Sequence, residues 1–136
     1  MPLNRLDHDN IRPNNLAEMV RWYTEVLGLQ SGPRPDFPFK GAWMYLGDHP
    51  VVHLVEKQTD KLVGSEADLK LEHIAFTGHD LDGFKAKLNR LNIKFHAVEI
   101  PNMNMMQVNI WDADKNHLHI DFKTDDETES PHLNPV

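Results

Sequence analysis

The sequence predicts an α+β fold built from two copies of one module, each running strand, helix, strand, strand, strand. Three observations carry this. Apolar residues recur at helical spacing in two separate stretches, each ahead of strands rich in aromatic and β-branched residues. Leu6-Asp7-His8 returns as Leu71-Glu72-His73 at an offset of 65, and Leu16 returns as Leu81. His53-Leu54-Val55 returns as His119-Ile120-Asp121 at an offset of 66, with Asp48 matched by Asp114, so a single insertion separates the two registers. A repeat of this length suits two supersecondary units with a shared buried surface better than a solenoid.

The elements follow in order. Arg5 to Ile11 reads as a short strand ending before Pro13. Asn15 with Glu18 three residues later forms a capping-box pattern, and Leu16, Met19, Val20, Tyr23, Val26 and Leu27 make one apolar helical stripe that Gly28 closes. A short strand near Leu29 to Ser31 follows. Pro33, Pro35 and Pro38 exclude an inner strand from Ser31 to Gly41, which is predicted as a loop and candidate lid. Ala42 to Leu46 and Val51 to Lys57 are antiparallel strands around the turn Gly47-Asp48-His49-Pro50. After the polar segment Gln58 to Asp68 the order restarts: strand Lys70 to Thr77, Asp80 as cap, helix Leu81 to Leu91, then strands Ile93 to Glu99, Met105 to Trp111 and Asn116 to Phe122. Residues 1–123 are therefore expected to form one domain, with modules at 3–57 and 70–123. Residues 124–136 read as a flexible acidic tail.

Composition narrows the functions. At 136 residues the chain supports one core. Asp and Glu number 21 against 14 Lys and Arg, and the basic residues are scattered, which disfavours nucleic acid. No apolar run approaches the roughly 20 residues of a membrane span and no secretory layout opens the chain, so no membrane association is expected. With no cysteine, any metal must be held by nitrogen and oxygen, and a cytoplasmic location fits. Nine histidines exceed ordinary composition, and their positions decide their meaning.

The segment LDHDNIRPNNLAEMVRWYTEVLGL resembles the opening strand and helix of vicinal oxygen chelate modules, and DADKNHLHIDF resembles their closing turn and strand. The chain is thereby identified as similar to the glyoxalase, bleomycin-resistance and extradiol-dioxygenase relatives. The resemblance implies the glyoxalase/bleomycin-resistance/dioxygenase fold, in which two βαβββ modules form a half-open mixed-sheet barrel. It implies metal ligands at His8, His53, His73 and His119. Strand alternation agrees, because Val51, His53 and Val55 share one face, as do His117, His119 and Asp121.

Neutral imidazole suits a divalent ion such as Zn, Ni, Fe, Mn or Co, and each ligand needs an acceptor for its other ring nitrogen, for which Asp121 and Gln107 are candidates. This chain departs from its relatives where they commonly carry glutamate, at His119 and, in the glyoxalase branch, at His53. An all-histidine site retains the metal's full charge, favours an anionic ligand and lacks an evident general base; no catalytic residue is assigned. Arg12, Trp43, Tyr45, Gln107 and Asn109 are substrate-cleft candidates, with ordinary packing as the plainer reading of the strand residues. His117 is expected on the cleft wall or exposed, and Asp7 and Asp9 are expected to point away from His8.

The resemblance implies a metal-dependent lyase, isomerase or dioxygenase acting on a small substrate that chelates through neighbouring oxygens, in a homodimer. The alternative is a ligand-sequestering or drug-resistance module of the same fold without turnover.

Overall fold

The computed structural model describes residues 5–56 and 71–124. The polar segment 58–68 and the acidic tail beyond Thr124 lie outside these residues. The chain divides into two compact units. The first holds residues up to 56 together with the turn Asp112–Lys115, and the second holds 71–111 and 116–124.

In the first unit the order is β1 (Asp9–Ile11), α1 (Leu16–Glu25), β2 (Gln30–Gly32), β3 (Gly41–Leu46) and β4 (His49–Val55), in a sheet ordered β1-β4-β3-β2. β1 runs parallel to β4, and the other pairs are antiparallel. Asn15 caps α1 by accepting a 3.0 Å bond from the Glu18 amide, as the sequence pattern predicts. Beyond the helix, Gly28 takes φ +76° and the Leu29 amide reaches back to the Tyr23 carbonyl at 3.1 Å. This left-handed turn redirects the chain into β2. Met19 and Tyr23 of α1 are fully buried with Met44, Val52 and Leu54 of the sheet.

The second unit repeats the topology: β5 (Ile74–Gly78), α2 (Leu81–Arg90), β6 (His96–Ile100), β7 (Met105–Trp111) and β8 (His117–Lys123), ordered β5-β8-β7-β6. Asp80 caps α2 through the Gly83 amide at 3.1 Å. Leu88, Val108, Ile110, Leu118, Ile120 and Phe122 form its apolar side. The predicted α+β pair of βαβββ modules is thus present, element for element.

The differences lie at element ends: α1 stops at Glu25 short of Leu27, and β4 begins at His49, inside the expected turn. Only Asp9–Ile11 of the predicted strand Arg5 to Ile11 pairs with β4, β5 begins at Ile74 instead of Lys70, and β6 begins at His96 instead of Ile93. Regular hydrogen bonding stops where the partner strand stops, which apolar patterning within one segment does not reveal.

Candidate metal centre

Each sheet turns one face to its helix and presents histidines on the other. In the first unit Asn10 pairs with His53, and His53 pairs with Trp43, so these side chains share a face. His8, two residues before Asn10, joins them. The His8 and His53 rings stack at 3.8 Å and 12°, and Trp43 stacks on His53 at 4.0 Å and 11°. In the second unit Ala75 pairs with His119, which pairs with Asn109, and His73 precedes Ala75 by two. The His73 and His119 rings lie 4.4 Å apart. His53 and His119 are each only 7% exposed, unusual for residues without a polar assignment.

Hydrogen bonds select the nitrogen left on each ring. His8 Nδ1 donates to the Asp7 carboxylate at 2.7 Å, His119 Nδ1 donates to Asp121 at 2.7 Å, and His73 Nδ1 bonds the Glu72 carboxylate. His53 Nε2 donates to the Pro50 carbonyl at 3.2 Å. An acceptor-only partner requires a proton on the facing nitrogen, so in the neutral ring the lone pair would fall on Nε2 of His8, His73 and His119 and on Nδ1 of His53. Burial, with neighbouring His8, holds the His53 pKa below its usual value, which favours the neutral ring. Hydrogen bonds from the rings hold Asp7, chiefly through His8, and Glu72, chiefly through His73 and then His117, below the usual carboxylate range. Neutral imidazoles with the second nitrogen bound to a carboxylate or carbonyl are donors a divalent metal takes, so the histidine pair of each unit, taken by itself, offers chemistry that suits such an ion.

Three features differ from the sequence expectations. Asp7 does not point away from His8, because it precedes β1 and strand alternation does not reach it. His117 is not exposed, its side chain being 12% accessible, and both ring nitrogens have neighbours. Its Nδ1 lies 3.1 Å from Glu72, its Nε2 donates to Asn109 Oδ1 at 2.8 Å, and Trp111 stacks on it at 4.9 Å. Glu72, His73 and His117 together form a cluster close enough to hold a metal ion. Glu72 is therefore a functional candidate missed in the sequence, although the signal was there: an acid precedes the histidine in both Asp7-His8 and Glu72-His73. Carboxylates stand behind three of the histidines, Asp7 behind His8, Glu72 behind His73 and Asp121 behind His119.

The cleft candidates divide. Trp43 lies in the histidine row. Asn109 is fixed by donating to the His96 carbonyl at 3.2 Å while accepting from His117. Gln107 pairs with Asp121 in the strand register; the acceptor on His119 is Asp121, not Gln107. Tyr45 bonds the Pro33 carbonyl at 2.5 Å and so tethers the proline-rich loop. Arg12 is exposed just after β1, whereas Arg34 is the arginine set among aromatic rings beside β3.

Over residues 5–126 the sequence matches the Glyoxalase/Bleomycin resistance protein/Dioxygenase superfamily. The chain belongs to that superfamily. Solved structures of similar fold include a glyoxylase/bleomycin resistance protein/dioxygenase domain from Frankia sp. EAN1pec, with TM-score 0.74, 22% identity and coverage of 89% of this chain and 98% of that one. A lactoylglutathione lyase from Agrobacterium tumefaciens aligns with TM-score 0.69 and 19% identity over 91% and 97% of the two chains. A genomically encoded fosfomycin resistance protein from Listeria monocytogenes aligns with TM-score 0.69 and 13% identity over 90% and 95%. At these identities the glyoxalase-superfamily likeness shows the fold alone. No curated protein matches the chain. Among the described residues no helix is long and apolar enough to cross a membrane.

Proposed function

We propose that this superfamily member is a metal-dependent enzyme of lyase, isomerase or dioxygenase type, acting on a small substrate that chelates a divalent ion through neighbouring oxygens. The proposed ligands are His8 and His53 in the first unit and His73 and His119 in the second. The observation that carries the reading is that each of these four rings has one nitrogen committed to an acceptor, a carboxylate in three cases, and the other without a hydrogen-bond partner among the described residues. Bound there, a divalent ion would supply Lewis acidity and a template for two substrate oxygens.

The protein's own groups do the rest. Asp7, Glu72 and Asp121 keep the Nδ1 protons of His8, His73 and His119 in place and so fix which edge of each ring is basic. Asn109 orients His117 through its fixed amide. The four proposed ligands are neutral as donors, while Asp7, Glu72 and Asp121 behind three of them would offset part of the ion's charge. A homodimer and a cytoplasmic location belong to the same reading. Sedimentation at micromolar concentration showing monomer alone would remove the dimer.

The test is metal analysis of the purified protein beside His73→Ala. Stoichiometric divalent metal that falls on substitution is expected. No stoichiometric metal in the parent protein, with nothing lost in the variant, would sink the reading.

The stack of Trp43, His53 and His8 favours a second reading, a ligand-sequestering module that uses His53 as an aromatic surface. Ligand binding that survives chelation and all four histidine substitutions would select it; oxygen uptake or thiol-dependent isomerisation would exclude it.

A further inference from the structure

Arg34 stands in the loop between β2 and β3 with more donors than partners. Among the described residues its Nη1 and Nη2 reach only the Phe39 carbonyl, at 3.5 and 3.4 Å, and its Nε is buried without a hydrogen-bond partner. A guanidinium has five N–H groups and matches a carboxylate with two parallel bonds. No carboxylate of the described residues pairs with it. The cation lies instead over aromatic faces, 5.1 Å from the Phe37 centroid and 5.6 Å from that of Phe39.

This arginine begins a continuous aromatic row. Phe37 stacks with Phe39 at 5.0 Å and approaches Trp43 at 6.5 Å, and Trp43 carries His53 and then His8. Arg34 Nη2 lies 3.0 Å from where a Cβ on Gly41 would stand. Positions 41 and 43 share a face of β3, about 6.8 Å apart along the strand. That is the reach of a carboxylate paired to the guanidinium plus half of the aryl ring attached to it. Phe37 is 38% exposed, a large apolar surface left at one end of the row.

We infer that Arg34, Phe37 and Trp43 form a recognition site for an aryl carboxylate, with the carboxylate on Arg34 and the ring against Trp43. The inference names a substrate class for the site proposed above and rests on that reading for its enzymatic meaning, but the binding itself needs no metal. Arg34 acts here as a fork, so lysine is not an equivalent replacement.

The test uses the full chain stripped of metal, titrated with benzoate and with its neutral counterpart benzamide, while the Trp43 indole N–H resonance is followed by NMR. Benzoate is expected to bind at least about 10-fold more tightly than benzamide, the step corresponding to 1.4 kcal/mol. Arg34→Gln should erase that preference, Arg34→Lys should restore it only in part, and both should keep the parent's amide spectrum outside the loop. Equal affinity for benzoate and benzamide, or undiminished benzoate binding in Arg34→Gln, overturns the inference. If Arg34→Gln alters the global spectrum, Arg34→Lys decides: full parental preference in it overturns the fork. A benzoate preference in a protein that takes up no metal would leave this site standing and remove only the metal reading.

Discussion

Asp121 accepts a 2.7 Å hydrogen bond from His119 Nδ1, two residues away on the same face of β8. The pair fixes the tautomer that turns Nε2 into the donor. Replacing Asp121 with Asn removes the charge while preserving size. Metal affinity is expected to fall about 10- to 100-fold, the usual cost of losing such a partner. Competition against a chromogenic chelator measures it, and an unchanged dissociation constant would show that His119 does not ligate.

Metal should also stabilise the fold. At free ion about 100 times the dissociation constant, stability rises by about 2.7 kcal/mol. Thermal melts with and without chelator should therefore separate by several degrees, and His73→Ala should abolish the separation. A difference that persists in His73→Ala would place the ion elsewhere.

Asp9 lies on the helix-facing side of β1, and its Oδ1 is buried without a hydrogen-bond partner among the described residues. Burial, with nearby Asp112 adding to it against the opposing effect of His8, pushes its pKa from 3.8 up to about 6. A folded-state value raised above the unfolded one means stability that is complete below pH 3.8 and is lost as pH rises through 6. The loss is roughly 3 kcal/mol. In metal-free protein, Asp9→Asn should match the parent near pH 4 and exceed its stability by up to about that amount at pH 7.5. Urea titrations at the two pH values check this, and a parent-to-variant difference that does not change with pH would refute it.

Tyr23 donates a 2.9 Å hydrogen bond to Asp112, a buried side-chain pair 89 residues apart in sequence. Tyr23→Phe keeps the ring and removes the donor from a buried carboxylate. A loss of about 1–3 kcal/mol is expected in denaturant unfolding. A variant as stable as the parent would mean that the other contacts of Asp112 suffice.

Gly41 tolerates no Cβ, since one would collide with the Leu54 carbonyl oxygen and press on Arg34. Gly41→Ala should lower stability by about 1–3 kcal/mol through backbone displacement. It should also weaken benzoate binding, because the guanidinium loses its seat. Parental stability and binding in Gly41→Ala would remove the proposed seat of Arg34.

The two-module architecture and the histidine faces are legible in the sequence. Helical spacing from Leu16 to Leu27, the caps Asn15 and Asp80, and the recurrence of His8 and His53 as His73 and His119 are local signals written in spacing, and hydrogen bonding within a segment obeys them. Tertiary structure alone decided the partners. Asp7 turns back to His8 because alternation fails outside a paired strand. Glu72 gathers His73 and His117 across 45 residues, and the path of a proline-rich loop sets Arg34 over Phe37 and Phe39. Spacing dictates which face a strand residue takes, but whether two side chains meet depends on loop course and rotamer, and these are set only when the distant surfaces pack.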